Sequence, residues 1–250
     1  MVKVYLETYG CWLNKAETGI IKRIIVERGG SIVDKLEEAD VIIINTCAVR
    51  EETELRMLKR IKELSNTGKR LVVAGCLVNV RPYTILKAAP KASLVEPDSL
   101  EDIGDVVFNG KQKILVRRYK RRRGLLPRFD GGAVYVIPVE TGCLGSCSFC
   151  IENVARGYGV KSYPLEAIID HIKYAVKRGA KEVFLTGQDV AAYGKDIGSS
   201  LAELLGRILE EVEGEYKIRI GMMEPWLVKS QAKELVKVMR DERVFNYLHL

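Results

Sequence analysis

The chain has 250 residues, enough for two modest domains, each with its own core. With 47% hydrophobic and 29% charged residues it has the balance of a globular protein, which excludes a disordered or fibrous one; its net charge of +7 is compatible with a polyanionic partner. No apolar run approaches the roughly 18–20 residues that cross a bilayer, and Met1-Val2-Lys3-Val4-Tyr5 reads as a strand rather than a signal peptide, so no membrane partner is expected and the protein is read as cytoplasmic, with reduced thiols.

In chain order, β-branched runs at 2–6, 41–44 and 71–73 predict strands, with amphipathic helices between them. The first helix, about 15–28, has Asn14 and Glu17 at capping-box spacing, with Asn14 read as its N-cap. It then carries Ile20, Ile21, Ile24 and Ile25 before a Gly29-Gly30 stop. The second, about 51–64, places Leu55, Leu58, Ile61 and Leu64 on one face. Strand–helix–strand alternation with short connections predicts a parallel α/β sheet. Residues 82–110 are less regular, with a short strand expected at 93–96 and a further element at 105–108.

Each of the three runs leads into a cysteine, Cys11, Cys47 and Cys76, and Gly10 and Gly75 precede two of them. Parallel strands with right-handed crossovers put their carboxyl ends on one edge of the sheet, so these thiols are expected to converge. Two readings stand side by side: three separate buried cysteines, or one three-thiolate site for an iron–sulfur cluster with an open iron.

Residues 117–123 then place six cations in seven positions: Arg117, Arg118, Lys120, Arg121, Arg122 and Arg123, around Tyr119. Gly124, Pro127 and Gly131-Gly132 follow, so 111–132 reads as a linker. The run is either a solvated connector or a contact for RNA phosphates, with Tyr119 available for stacking.

A strand at 134–139 enters Thr141-Gly142-Cys143-Leu144-Gly145-Ser146-Cys147-Ser148-Phe149-Cys150. Cys143, Cys147 and Cys150 stand at Cys-x3-Cys-x2-Cys spacing, which suits one cubic cluster with one iron left open. A structural zinc needs four closed ligands, and the two histidines, His171 and His249, are not at knuckle spacing; His171 is taken as structural or exposed. Helices at about 165–178, 200–213 (capped by Ser200 and Glu203) and 230–240 alternate with strands at 182–186, 217–220 and 247–250. Such βα units predict a TIM-like barrel, whose sites lie at the carboxyl ends of strands.

The cysteine triplet with Phe149 before its last member resembles the radical S-adenosylmethionine (SAM) enzymes. In that family the three cysteines hold a [4Fe–4S] cube, SAM chelates the fourth iron, and the aromatic ring lies near the adenine. Thr8-Tyr9-Gly10-Cys11-Trp12-Leu13-Asn14, Asn45-Thr46-Cys47-Ala48-Val49-Arg50 and Ala74-Gly75-Cys76 resemble the N-terminal domain of the methylthiotransferases within it. There an auxiliary cluster binds or supplies the sulfur that is methylated and inserted. The resemblance implies a second [4Fe–4S] cluster on Cys11, Cys47 and Cys76. It implies SAM contacts from Gly187 and Gln188 (in Thr186-Gly187-Gln188-Asp189), from Glu224 (in Glu224-Pro225), and to SAM or substrate from Arg156 (in Ala155-Arg156-Gly157).

The expected fold is thus α/β, with an N-terminal parallel α/β sandwich at 1–110, the basic linker 111–132, and a partial TIM-like radical SAM (β/α) barrel at 133–250. The family's barrel has about six strands and an RNA-binding module after it, whereas four strands are expected here. A truncated chain, or completion by a second chain, is therefore expected. Within the family the chain looks most like the type that modifies threonylcarbamoyladenosine in tRNA, beside the anticodon. The implied partners are tRNA, an electron donor and a sulfur donor. An isopentenyladenosine tRNA enzyme, a ribosomal-protein methylthiotransferase and a non-catalytic iron–sulfur RNA-binding fragment are the alternatives.

Overall fold

The computed structural model describes residues 1–49, 51–119 and 124–250, in two units: Met1–Leu125 with Cys147–Gly157, and Leu126–Ser146 with Tyr158–Leu250. In the first unit β1 (Lys3–Thr8), β2 (Ser31–Val33), β3 (Val41–Thr46), β4 (Arg70–Gly75), β5 (Ser93–Val95) and β6 (Ile114–Leu115) form one sheet in the order β2-β1-β3-β4-β5-β6. Every pairing in it is parallel. All of β3 is buried, which explains its unbroken apolar run: a central parallel strand is covered on both faces.

Alternate residues of β3 serve the two faces. Val41 and Ile43 pack with Ile20, Ile21, Ile24 and Ile25 of α1 (Trp12–Glu27) and with Ile103, Val106 and Val107 of α5 (Ile103–Phe108). Ile42 and Ile44 pack with Met57, Ile61 and Leu64 of α2 (Glu51–Ser65), Leu77 of α3 (Cys76–Val80) and Ile85 of α4 (Pro82–Ala88). The last helix of this unit, α6 (Glu152–Arg156), lies far along the chain and adds Ala155 to the same cluster.

Three sequence expectations need correction here. The N-cap of α1 is Cys11, not Asn14; Asn14 is the third helical residue, fully buried, and its Oδ1 accepts the Cys11 N–H at 3.2 Å. On α2 Leu55 is 62% exposed, because the buried face runs through Met57, Ile61 and Leu64, and two helical steps of about 100° turn Leu55 away from it. Within the stretch read as a linker, Ile114–Leu115 forms the edge strand β6, paired with β5.

In the second unit β7 (Val134–Pro138), β10 (Glu182–Thr186) and β11 (Lys217–Ile220) form a parallel sheet in the order β11-β10-β7, and β8 (Glu140–Cys143) pairs antiparallel with β9 (Gly159–Ser162). The helices are α7 (Leu165–Lys177), α8 (Leu201–Glu211), α9 (Pro225–Ser230) and α10 (Ala232–Val238). Ile168, Ile169 and Ile172 of α7 and Leu204, Leu205 and Ile208 of α8 pack on Ile137, Val183, Leu185 and Ile218. Ser200 caps α8, its Oγ accepting the Glu203 N–H at 3.1 Å. His171 is structural, its Nδ1 3.2 Å from the Pro127 carbonyl and 3.3 Å from the Tyr135 hydroxyl.

The strand expected at 247–250 is absent as a strand. The end of the chain makes two isolated parallel bridges, Ile218 with Val244 and Met222 with His249, so three barrel strands stand among the described residues. Tyr247, Leu248 and Leu250 are exposed, so no buried face holds this stretch in register. Among the described residues no helix is long and apolar enough to cross a membrane.

Candidate metal and cofactor sites

Cys11 follows β1, Cys47 follows β3 and Cys76 follows β4, and these three strands are immediate neighbours in the sheet. Their ends therefore fall within about 10 Å, two strand spacings of about 4.8 Å. The register puts Thr8 beside Asn45 and Thr46 beside Gly75, so the chain leaves all three strands at one level. Gly10 and Gly75 adopt positive φ of 111° and 92°, turning the backbone sharply into the two cysteines. A Cβ on Gly10 would lie 2.3 Å from Asn14 Oδ1 and 2.7 Å from the Cys47 Cβ, so only glycine allows this approach.

Buried amides brace the edge. Asn45 Nδ2 donates to the Asn14 carbonyl at 2.9 Å, Asn14 Nδ2 donates to the Thr46 carbonyl at 3.2 Å, and the Thr46 hydroxyl donates to the Ala74 carbonyl at 2.6 Å. Cys11 is exposed, whereas Cys47 and Cys76 are buried. Burial pushes the Cys47 thiol up, and the neighbouring Cys11 adds to the effect. Burial pushes the Cys76 thiol well up, opposed by the Arg156 guanidinium.

Among the described residues no three His, Cys, Asp or Glu side chains are gathered closely enough for a single metal ion. Three soft thiols at the ends of three adjacent strands have the donor chemistry of an iron–sulfur cluster, which takes one cysteine per iron.

Arg156 lies in the first unit, at the end of α6, and α6 packs on α3, the helix that begins at Cys76. Asn79 Nδ2 donates to the Ala155 carbonyl at 2.8 Å and pins the two helices together. Arg156 is buried; its Nη1 donates to Glu17 Oε1, and its Nε lies 3.4 Å from Glu152 Oε2. The residue expected to touch SAM or substrate thus stands in a buried network beside the three thiols.

Of the second cysteine motif, Cys143 lies in the second unit and accepts the Gly145 N–H on its Sγ at 3.1 Å; Cys147 and Cys150 lie on the segment that packs with the first. Phe149 is exposed. At the carboxyl ends of β7, β10 and β11 a buried polar group gathers. Glu140 Oε1 accepts the Asp189 N–H at 3.0 Å, and Gln188 Oε1 accepts the Gly142 N–H at 2.7 Å. Gly187 leaves room for the Glu140 carboxylate there, since a Cβ would lie 1.9 Å from Glu140 Oε1. Asp189 Oδ1 accepts the Glu224 N–H at 2.9 Å, and Glu224 Oε2 caps α9 by accepting the Leu227 N–H at 3.0 Å. Burial raises the Asp189 carboxyl. Gln188 Nε2 and Asp189 Oδ2 are buried without a hydrogen-bond partner, a vacancy that suits a polar ligand such as an amino-acid moiety.

The start of the basic run is tied to the first unit. The Arg117 N–H donates to Asn79 Oδ1 at 2.7 Å and the Arg118 N–H to Glu96 Oε1 at 2.8 Å. The Arg117 Nε donates to the Asn79 carbonyl at 3.1 Å, and the Arg118 guanidinium is 3.5 Å from Asp102. The Tyr119 hydroxyl donates to the Val154 carbonyl at 2.8 Å, so this ring, expected to stack on bases, is anchored to the protein. Lys120, Arg121, Arg122, Arg123 and Arg50 lie outside the described residues.

Sequence reasoning missed the buried pairing of Glu17, the roles of Glu152 and Glu140, and the burial of Asp189. Glu17 left a signal, because it stands three and four positions before Ile20 and Ile21 and so falls on the apolar face of α1. Glu140 and Glu152 left none, since their burial depends on contacts distant in sequence.

Comparison with known proteins places these features. Residues 3–96 match the model of "Uncharacterized protein family UPF0004", and residues 137–250 that of the "Radical SAM superfamily". Over its full length the chain is 38% identical to a probable threonylcarbamoyladenosine tRNA methylthiotransferase of Pyrococcus horikoshii and 41% identical to one of Methanocaldococcus jannaschii. It is 28% identical over 99% of its length to the human threonylcarbamoyladenosine tRNA methylthiotransferase. The chain spans 60%, 58% and 44% of those three relatives. Among solved structures it resembles in fold the radical SAM methyltransferase TsrM of Kitasatospora setae, solved with cobalamin and a [4Fe-4S] cluster: TM-score 0.61, 11% identity, covering 99% of this chain and 66% of that one.

Proposed function

We propose that this chain, which carries a radical SAM domain at residues 137–250 and resembles threonylcarbamoyladenosine tRNA methylthiotransferases over its full length, is the cluster-bearing part of an enzyme that inserts a methylthio group into threonylcarbamoyladenosine of tRNA. The observation that carries the reading is the arrival of Cys11, Cys47 and Cys76 at the ends of three neighbouring parallel strands, in a chain that also holds Cys143, Cys147 and Cys150 at Cys-x3-Cys-x2-Cys spacing. Each trio would hold one [4Fe–4S] cluster and leave one iron open.

When bound, the clusters and SAM supply the electron, sulfur and methyl chemistry; the chain's own residues bind, orient and exclude water. Gly10 and Gly75 let the backbone close on the first trio. Burial of Cys47 and Cys76 keeps water from two of its three ligands. In the second unit Gly187 and Gln188 offer the backbone and the unpartnered amide that would hold the amino-acid end of SAM, with Glu224 close by; the resemblance assigns its adenine to Phe149. Arg117 and Arg118, with Lys120, Arg121, Arg122 and Arg123, would meet tRNA phosphates. An external electron donor and a sulfur source complete the scheme, which is set in the cytoplasm.

The test is metal content. Anaerobically reconstituted protein should hold about eight irons, falling to about four in either Cys47→Ala or Cys143→Ala. Iron unchanged by Cys47→Ala would remove the first site. Nucleoside mass spectrometry after incubation with unmodified-stage tRNA, SAM and reductant tests the substrate.

A further inference from the structure

The buried arginine beside the first cysteine trio has N–H groups that nothing in the first unit accepts. Its side chain is 4% exposed. Nη1 is bonded to Glu17; Nε faces Glu152 at 3.4 Å without hydrogen-bond geometry; Nη2 has no hydrogen-bond partner. A guanidinium carries five donors in a rigid planar fork, and leaving them unmet away from water is costly. Glu17 is itself buried and fixes the fork from one side, so the guanidinium is not free to swing toward solvent.

The unmet donors lie on the helix that packs beside a thiol. α6 ends in Arg156 where it packs on α3, which begins with Cys76, and the bond from Asn79 to Ala155 fixes the pair of helices. Burial opposes the Arg156 charge, and Cys76, Glu17 and Glu152 all favour it. Two carboxylates against one guanidinium leave no surplus positive charge, so whatever Arg156 does to the cysteine site it does locally, through its N–H groups.

We propose that Arg156 is a positioning residue that donates hydrogen bonds to sulfur at the Cys11/Cys47/Cys76 site and thereby sets the reduction potential of the cluster held there. This rests on the cluster reading given above. Thiolate and inorganic sulfide are both acceptors, and hydrogen bonds to the sulfurs raise an iron–sulfur cluster's potential by stabilising the more negative reduced state. Glu17 and Glu152 hold the donor in place.

The experiment uses the full chain carrying Cys143→Ala, Cys147→Ala and Cys150→Ala, so that only the first trio can hold iron. Iron and sulfide are counted after anaerobic reconstitution, and the potential is read by a redox titration followed by electron paramagnetic resonance. The parent should take up about four irons. Arg156→Met should shift the midpoint to more negative potential, and Arg156→Lys, which keeps a charged donor, should bring it back toward the parent. Should Arg156→Met lack the parent's circular dichroism, the double variant Glu17→Gln/Arg156→Met, which also removes the stranded carboxylate, replaces it with the same expected shift. Coincident potentials in parent and neutral variant overturn the role of Arg156 alone. A parent that takes up no iron overturns the ligand set, and the inference with it.

Discussion

Arg156 donates a hydrogen bond to Glu17 across 139 positions of sequence, and the two side chains are 4% and 5% exposed. Removing Glu17 strips the buried guanidinium of its hydrogen-bonded carboxylate and leaves it only Glu152, 3.4 Å away and 21% exposed. Glu17→Ala should therefore lower stability by about 3–5 kcal/mol, measured by urea unfolding. Adding Arg156→Met should recover part of that loss, because the stranded charge goes with it. A loss under about 1 kcal/mol for the single variant would mean that water reaches the pair.

Gly10→Ala should impair the first cysteine site. At φ 111° the new methyl would meet Asn14 Oδ1 at 2.3 Å and the Cys47 Cβ at 2.7 Å; the Asn14 amide is buried and held by hydrogen bonds, and the Cys47 Cβ moves only with its backbone. The expected outcome is loss of about four of the bound irons with the second set retained, read by iron analysis alongside Cys47→Ala. Full iron retention would show that the loop can move aside.

Asp189 makes stability depend on pH with a definite sign. Burial raises its carboxyl above the ordinary 3.8, so the folded protein holds that proton more tightly than the unfolded chain. Its contribution is fully present below pH 3.8 and is lost as pH rises through the folded value. Relative to Asp189→Asn, the natural protein should lose stability on going from pH 3.8 upward, with a slope no steeper than about 1.4 kcal/mol per pH unit. Parallel curves for the two proteins in thermal melts would contradict this.

The thiols should differ in reactivity when the protein carries no iron. Cys11, Cys147 and Cys150 are exposed, whereas Cys47 and Cys76 are buried with thiols pushed up, so less thiolate is present at a given pH. Brief iodoacetamide treatment followed by peptide mass spectrometry should label the exposed three first, and labelling of Cys47 and Cys76 should rise with pH above 9.0. Equal labelling of all five would show that the first site opens readily.

The parallel sheet was legible because its strands are short β-branched runs with helices of clear period between them, and the placing of Cys11, Cys47 and Cys76 at one sheet edge was expected from their positions just after three such strands. Asn14 misled because its spacing to Glu17 fits a capping box, while the helix starts at Cys11 and buries both side chains against β3 and α6. The stretch at 247–250 has strand-forming residues but makes only isolated bridges, and local propensity does not decide whether an edge is paired. Arg156 reads as a surface cation or a ligand contact in one dimension; its burial comes from a helix of five residues docking on a distant one.

The first unit is not a continuous stretch of polypeptide: Cys147–Gly157 belongs to it, bringing α6, Ala155 and Arg156. A ribosome that has released only as far as Leu125 has therefore delivered a sheet whose Glu17 and Asn79 still await their mates. The amino-terminal half matures only after the chain has travelled out, begun the next unit and come back, so its completion is timed by the emergence of the very loop that carries Cys147 and Cys150.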